Sequence, residues 1–287
     1  MKAIRKSVVA ATGMALALSL AACGGGSGGA DGGKPAGSGG GKSDNGADKA
    51  LKAADPAATL KAAAAKGAKQ NTYRMKGTRR NEGSDYTTQS AVQVKPDASD
   101  GKDVGPKTAD TPDGVSHVIK VDDKMYINSA RVPGKKWWTL DLKGAKGRDA
   151  SEPFVLMTSA LATAKDVRNA GVETVGGRRA ARFEGTVVRS ELAAYKGDAM
   201  NEKDRDLYAK DVKEEGLDKI TISVWVDKDG VIAKTEESGK GSKGEYRRTD
   251  EYSDFGADLK IQPPPAADTA SEKEAMEAAM KQPDNKL

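Results

Sequence analysis

The stretch Lys219-Ile220-Thr221-Ile222-Ser223-Val224-Trp225-Val226 has the clearest strand pattern in the chain. Successive side chains of a strand point to opposite faces, so its four aliphatic residues share one face and Thr221, Ser223 and Trp225 share the other. The turn residues Asp227-Lys228-Asp229-Gly230 then lead into a second strand pattern at Val231–Glu237. This stretch predicts a hairpin within an antiparallel sheet that buries one face.

Similar alternating segments occur on both sides of this hairpin. They predict strands at Thr72–Arg79, Tyr86–Val94, Val115–Val121, Lys124–Asn128, Lys136–Leu142, Asp166–Val175, Arg178–Val188 and Tyr246–Phe255. Asp122-Asp123 and Gly176-Gly177 are two-residue connections typical of hairpins. Residues 95–114 contain three Pro, three Gly and five Asp, and they predict a long exposed loop.

Helix signals interrupt the strand patterns at two internal points and flank them at both ends. Asp55-Pro56 predicts a helix that runs to Lys66 and stops at Gly67. A helix capped by Ser151 is predicted to carry one apolar stripe, formed by Phe154, Met157, Leu161 and Ala164. Shorter helices are predicted at Ser190–Lys196, Glu202–Glu215 and Glu272–Met280. This order predicts an α+β fold, with a curved antiparallel sheet and helices gathered on one side.

The N-terminus has the features of an exported, anchored protein. Residues 1–22 combine a basic start, an apolar run and a small-residue end, as secretory signal peptides do. Leu20-Ala21-Ala22-Cys23 resembles a bacterial lipobox, in which cleavage between Ala22 and Cys23 leaves an acylated cysteine as the first residue. The alternative is an ordinary signal peptide with a cysteine nearby. The lipobox predicts a chain anchored in membrane lipid through Cys23, on the extracytoplasmic side of the cell membrane.

Composition divides the remaining chain into three parts. Residues 23–46, rich in Gly and Ser, predict a flexible tether that spans roughly 25 Å as a Gly-rich coil. Residues 47–265 are long enough for one domain with a sizeable core, which Pro263-Pro264-Pro265 would end. Residues 266–287 predict a polar C-terminal tail. Cys23 is the only cysteine, so no disulfide is available within the chain.

The net charge of +5 does not indicate a nucleic-acid partner. Residues 1–22 carry three basic and no acidic residues, so their removal leaves 44 basic and 42 acidic residues, a balance of +2. These charges are interspersed rather than concentrated on one basic segment. The pattern is typical of a solubilising surface.

No motif singles out a catalytic centre, a metal or a cofactor. His117 is the only histidine, which argues against a histidine metal site and predicts a structural or surface role. The segment Asp227–Gly230 lacks the ligand spacing of a calcium loop, and G-x-S-x-G is absent. The prediction is therefore a protein that is not an enzyme and has no cofactor. A hydrolase that uses two of the 42 acids is left open, because counting cannot exclude it.

Four stretches resemble the LppX/LprG-type lipoproteins, which have the LolA-like lipoprotein-carrier fold. They are Lys135–Asp141, Asp166–Val187, Val224–Ile232 and Tyr252–Gly256 before the Pro-rich end. The resemblance covers roughly residues 50–265. It implies an unclosed antiparallel half-barrel of about ten or eleven strands that wraps a few helices. It also implies an apolar cavity between sheet and helices, which in some members holds acyl chains of lipids or lipoglycans.

The apolar residues on the predicted inner faces are the candidates for such a cavity. They are Tyr73, Met75, Phe154, Met157, Leu161, Phe183, Ile222 and Val224. One hypothesis is that they line a pocket for an acyl chain, because apolar concavities with few polar groups suit that ligand. The simpler interpretation is that Phe154, Met157 and Leu161 are ordinary core. In that case the chain would be a non-catalytic interaction or sensor lipoprotein that partners an envelope or transport protein.

Overall fold

The structure is a computed structural model that describes residues 45–108, 111–129, 131–143 and 152–281. The helices are α1 Asn45–Ala53, α2 Pro56–Gly67, α3 Pro153–Ala162, α4 Arg189–Ala194, α5 Glu202–Glu214 and α6 Glu272–Lys281. The strands are β1 Thr72–Asn81, β2 Ser84–Gln93, β3 Ala98–Val104, β4 Val115–Val121, β5 Lys124–Asn128, β6 Trp137–Asp141, β7 Arg168–Val175, β8 Arg178–Val188, β9 Lys219–Asp227, β10 Ile232–Gly241, β11 Gly244–Ser253 and β12 Thr269–Ala270.

All twelve strands belong to one sheet with the order β12-β6-β5-β4-β3-β2-β1-β11-β10-β9-β8-β7. Every neighbouring pair is antiparallel except β12 with β6, which is parallel. The outermost strands β12 and β7 do not pair with each other, so the sheet is open. This confirms the predicted α+β class with an unclosed, mostly antiparallel sheet.

The hairpins predicted from turn residues are confirmed. Asp122 has φ 51° in the β4–β5 turn. Gly176 and Gly177 have φ 54° and 78° between β7 and β8, as a type I′ turn requires at both central positions. The opening stretch forms β9, and its turn leads into β10.

The prediction of a loop at residues 95–114 is wrong in part. Residues 95–114 were expected to form a loop, yet β3 occupies Ala98–Val104 and pairs with β2 and β4 along its whole length. Its composition, with two Asp and one Gly, disfavours a strand. The two ladders of backbone hydrogen bonds outweigh that local preference, and Ala98 and Gly101 are buried between their neighbours.

Helices α2 and α3 cross where a glycine permits close approach. Helix α2 begins as predicted, because the Asp55 carboxylate accepts a hydrogen bond from the Ala58 backbone N–H at 2.7 Å. It ends at Gly67, where a Cβ would lie only 2.8 Å from the Phe154 ring. The absence of that Cβ lets the end of α2 pack directly on α3.

Helix α3 differs from its predicted single apolar stripe. Residues 154–161 are all buried, so the helix is enclosed on every side. It contacts α2, α5 and strands β8, β9 and β10. The small polar residues Thr158 and Ser159 fit this environment, and the Thr158 hydroxyl donates to the Phe154 carbonyl at 2.6 Å. The residue predicted to cap it, Ser151, lies outside the described residues.

The segment after the Pro-rich stretch contributes to the sheet. Thr269–Ala270 pairs with Trp137 and Trp138 of β6, and Ala270 is buried. Helix α6 follows and packs on β6. The predicted signal peptide, Cys23 and the tether up to residue 44 lie outside the described residues, so these assignments stay predictions. Asn45 and Gly46, predicted as the end of the tether, lie in α1.

Candidate functional site

The eight residues predicted to line a cavity are brought together by the fold. Tyr73 and Met75 lie on β1, Phe183 on β8, and Ile222 and Val224 on β9; Phe154, Met157 and Leu161 come from α3. Met75 is half-buried, and the other seven are buried members of one hydrophobic core. The Phe154 ring centroid lies 5.1 Å from that of Tyr73 and 5.0 Å from that of Tyr252. The eight side chains therefore pack as core residues, and a ligand-binding role for them stays a prediction.

Two concavities lined by described residues lie at the margins of this core, since Tyr252 lines one and Leu217 the other. One of about 500 Å³ is bordered by the β7–β8 turn and the end of β11, including Arg178 and Glu251. The other, of about 530 Å³, lies near Leu217 and the β10–β11 turn. Neither includes any of the eight predicted residues.

The face of the sheet that carries these core residues is here called the inner face. Helices α2 and α3 cover it over β8, β9 and β10. The same face continues across the rest of the sheet, because directly paired residues project to the same side. One row of paired residues runs from Met75 through Ser90, Gly101, Val118 and Ile127 to Trp138.

The far end of the inner face is apolar apart from Ser116 and Lys120 on β4. Five side chains there, here called the inner strip, belong to β4, β5 and β6; they are Val118, Met125, Ile127, Trp138 and Leu140. All five are half-buried. They are absent from the hydrophobic core and from the partly buried residues packed against it. The inner strip is therefore a second apolar surface, separate from the core beneath α3.

Small side chains separate the inner strip from the core. Ser90, Ser99 and Gly101 occupy the inner face of β2 and β3 between Met75 on one side and Val118 on the other. On the inner face, a row of small side chains therefore lies between two sets of apolar side chains.

Charged residues occupy the inner face at one end of this row of small side chains. This set, here called the inner polar cluster, consists of Arg79, Asp103, Glu237, Arg248 and Asp250. Arg79 and Arg248 are directly opposite each other on β1 and β11. Arg248 Nε donates to Asp250 Oδ2 at 2.6 Å, and Asp250 is almost fully buried.

Glu237 is the most enclosed carboxyl of the cluster. The Tyr208 hydroxyl donates to Oε1, and the Tyr246 hydroxyl donates to Oε2 at 3.0 Å. Burial raises the pKa of Glu237, while Arg248 and the two hydroxyls oppose that shift. These contacts connect α5, which carries Tyr208, to the sheet.

Two further carboxyls on or beside the inner face have raised pKa values. Burial raises the pKa of Asp103 to about 7, against the opposing effect of Arg79 and Arg248. Burial also raises the pKa of Glu152, which precedes α3 and accepts a hydrogen bond from the Tyr73 hydroxyl at 2.5 Å.

The outer face of the sheet holds the lone histidine in a structural setting. His117 Nε2 lies 2.7 Å from Asp100 Oδ1, and its ring packs edge to face on Trp137 at 4.7 Å. Trp137 is buried on this side, while Trp138 is half-buried on the inner face, as their adjacent positions in a strand predict.

Trp225 is also buried on the outer face. Its indole N–H donates to Glu173 at 2.9 Å, and its ring lies between the Arg182 guanidinium and the Lys234 ammonium, at 5.1 and 4.4 Å. The sequence placed Trp225 on this face. It did not show that long charged side chains would bury it.

Residues 45–108, 111–129, 131–143 and 152–281 contain neither a metal centre nor a membrane-spanning helix. No group of three or more His, Cys, Asp or Glu in those ranges is arranged to hold a metal ion. None of the helices in the part of the chain that the structure describes is both long and apolar enough to cross a membrane.

The inner strip and the inner polar cluster were missed at the sequence level. The alternation of apolar and polar residues in β4, β5 and β6 is present in the sequence. The register that aligns Val118, Ile127 and Trp138 depends on how the strands pair, which the pattern of a single strand does not specify. The loop predicted at residues 95–114 also concealed β3, which carries Asp103.

Comparison with known proteins finds two relatives in Streptomyces, and no family model matches the chain. A candidate lipoprotein of Streptomyces coelicolor is 29% identical over 157 residues, which is 51% of this chain and 46% of the relative. An uncharacterized 31.2 kDa protein from the rplA–rplJ intergenic region of Streptomyces griseus is 28% identical over 180 residues, or 57% of this chain and 59% of the relative. The chain thus matches about half the length of these curated relatives.

Solved structures with similar folds include two mycobacterial proteins, of which LppX is described as a lipoprotein. LprF from Mycobacterium bovis has a TM-score of 0.49 and 11% identity, over 73% of this chain and 96% of that chain. LppX from Mycobacterium tuberculosis has a TM-score of 0.45 and 14% identity, over 73% of this chain and 100% of that chain.

Proposed function

We propose that this chain is an extracytoplasmic lipoprotein, anchored through acylated Cys23, that holds an acyl chain of a lipid or lipoglycan on the inner face of its sheet. The lipobox-like Leu20–Cys23 and the name of the Streptomyces coelicolor relative support the anchor. The anchor would keep the domain beside membrane lipid, its source of ligand. Binding of this kind requires no catalytic residue.

The inner strip is the observation that carries the proposal. Its five apolar side chains share one face, stay partly accessible and lie outside the core. Each methylene removed from water contributes about 0.8 kcal/mol. Burial of about ten methylenes therefore offers roughly 8 kcal/mol, which corresponds to micromolar affinity before the costs of ordering the ligand.

In this proposal the eight core residues contact only a ligand that inserts more deeply than the inner strip. They extend the apolar surface from Met75 into the space beneath α3. A ligand that penetrated there would have to separate Phe154 from Tyr73 and Tyr252. We therefore assign first contact to the inner strip and treat the core residues as contacts of a more deeply inserted chain.

The proposal is tested by native mass spectrometry of the full chain purified from a bacterium that acylates lipoproteins. We expect a non-covalent adduct of lipid mass in addition to the covalent modification at Cys23. The Cys23→Ser chain should lose the covalent group and keep the adduct. Uniformly ligand-free protein from both preparations would contradict the proposal.

A matched pair of variants locates the ligand. Ile127→Ser should reduce adduct occupancy several-fold, because it removes the centre of the inner strip. Tyr126→Ser, the adjacent residue on the outer face of β5, should leave occupancy unchanged. Equal effects of the two substitutions would argue against binding on the inner face.

The close packing of the eight core residues favours a second candidate, the non-catalytic interaction or sensor lipoprotein. In that case the inner strip would contact an envelope protein instead of an acyl chain. Photo-crosslinking from position 127 in cells separates the two. A lipid adduct supports carriage, and a discrete protein adduct supports the interaction role.

A further inference from the structure

Two polar atoms on the inner face have no hydrogen-bond partner among the described residues. They are Arg79 Nε, a donor, and Asp103 Oδ1, an acceptor, and both are shielded from solvent. Arg79 contacts the Tyr86 ring, with its guanidinium carbon 5.0 Å from the ring centroid. Buried polar atoms are normally satisfied, so an unpaired donor and acceptor on one surface call for an explanation.

The register places these two residues on either side of β2. Asp103 is paired with Thr88, which is paired in turn with Gly77, two residues before Arg79. Neighbouring strands lie about 4.8 Å apart, so β1 and β3 are roughly 10 Å from each other. The inner-face side chains of β2 at this point are Thr88 and Tyr86, so a ligand group would reach both atoms only by displacing one of these side chains.

The surrounding charges disfavour a ligand group that is itself charged. Arg248 lies directly opposite Arg79, while Asp250 lies so close to Gly77 that a Cβ there would be 2.2 Å from Oδ1. An anion at this point would meet Asp103 and Asp250, and a cation would meet Arg79 and Arg248. A neutral group avoids both repulsions.

A hydroxyl group matches the two unpaired atoms. Its proton can be donated to Asp103 Oδ1, and its oxygen can accept from Arg79 Nε. An ester carbonyl or a phosphodiester could satisfy only Arg79, because neither has a proton to donate.

The site is also close enough to the inner strip for one ligand to contact both. Val118 is the diagonal neighbour of Asp103 across the β3–β4 pair. Such diagonal positions are about 7–8 Å apart, roughly the distance from a terminal hydroxyl to the first methylenes of an acyl chain. One amphiphile can therefore reach both surfaces.

We propose that Arg79 and Asp103 bind a neutral, hydroxyl-bearing head group of the ligand whose acyl chain lies on Val118 and the rest of the inner strip. This inference rests on the proposed function. It adds that the site selects an alcohol such as an acylglycerol over an ionised lipid such as a fatty-acid carboxylate.

Two probes with the same ten-carbon chain test this selectivity. 1-Decanoylglycerol carries two hydroxyls, and decanoate carries a carboxylate. Binding to the delipidated Cys23→Ser chain is measured by calorimetry at pH 8. We expect 1-decanoylglycerol to bind more tightly than decanoate. Tighter binding of decanoate would overturn the inference and indicate an anion site at Arg79.

Substitutions at Asp103 then identify the contact. Asp103→Ala should weaken the binding of 1-decanoylglycerol about tenfold, because it removes a hydrogen bond to a charged group. The affinity for decanoate should stay the same or increase. Asp103→Asn keeps an acceptor oxygen and should retain most of the affinity. Asp100 lies on the outer face of the same strand, so Asp100→Ala is the control and should not change the affinity for either probe.

The outcomes separate the two proposals. If the wild-type chain binds neither probe, the proposed function fails. If it binds both and Asp103→Ala leaves their ratio unchanged, carriage stands and the head-group site is overturned. Thermal unfolding of each variant checks that it is folded, and Asp103→Asn gives an independent measurement should Asp103→Ala be unstable.

Discussion

Asp103 has a carboxyl that the fold holds partly out of water with one oxygen unpaired. An acid whose pKa rises on folding binds its proton more tightly in the folded state than in the unfolded chain. The free energy of unfolding therefore falls as the pH rises from about 3.8, the ordinary pKa, to about 7, the folded one.

This behaviour predicts that Asp103→Asn stabilises the protein at high pH. The gain should be about 1–2 kcal/mol at pH 8, after allowance for solvent screening of a partly exposed group, and close to zero at pH 3. Urea unfolding of both chains at the two pH values measures it. An equal effect at both pH values would show that the carboxyl is not destabilised by burial.

At the scale of elements, the crossing of α2 and α3 depends on one missing Cβ. If no atom lay close to the added Cβ, Gly67→Ala would stabilise the helix by about 1 kcal/mol, because Ala has the higher helix propensity. Here the added Cβ would lie 2.8 Å from the Phe154 ring, which is enclosed by the core and has little room to move. We expect a net loss of about 1–2 kcal/mol in the free energy of unfolding.

Denaturant unfolding checks this expectation, and a double-mutant cycle identifies its cause. Phe154→Leu shortens the opposing side chain, so adding Gly67→Ala to it should cost less than in the wild-type background. If Gly67→Ala stabilised the protein, helix propensity would outweigh the contact and the crossing would be looser than the structure describes.

Elements differ in how well local sequence predicted them. Strand β9 was readable because every second residue is aliphatic, and α2 because Asp55 and Pro56 mark its start. Strand β3 was not, since its pairing partners on β2 and β4 supply the stabilisation that its own residues lack. Helix α3 looked one-sided because its small residues, among them Thr158 and Ser159, pack against neighbours that lie far away in sequence.

At the scale of the whole molecule, the C-terminal segment protects an edge of the sheet. Thr269–Ala270 pairs with β6, and the Lys136 N–H donates to the Asp268 carbonyl at 3.0 Å. An uncovered strand edge is a template for pairing with another chain. This segment was expected to be a polar tail beyond the domain.

Truncation tests its contribution. A chain ending at Pro265 loses β12 and α6. We expect its free energy of unfolding to be about 2 kcal/mol lower than that of the full chain, and we expect it to self-associate through β6. A chain ending at Lys281 is the control and should behave as the full chain does. Calorimetry and sedimentation velocity report the two effects. An unchanged, monomeric chain ending at Pro265 would instead support a domain boundary at residue 265.

Local sequence was sufficient to predict the α+β class, most strands and their hairpins, the start of α2 and a lipid anchor at Cys23. These features depend on residues close together in the chain, such as alternating side chains, caps and turn residues. The tertiary structure decided that the eight predicted cavity residues pack as a core, and that the inner strip and the inner polar cluster share one face of the sheet. The physical reason is that strand register and helix placement depend on packing between distant segments, which local pattern does not specify.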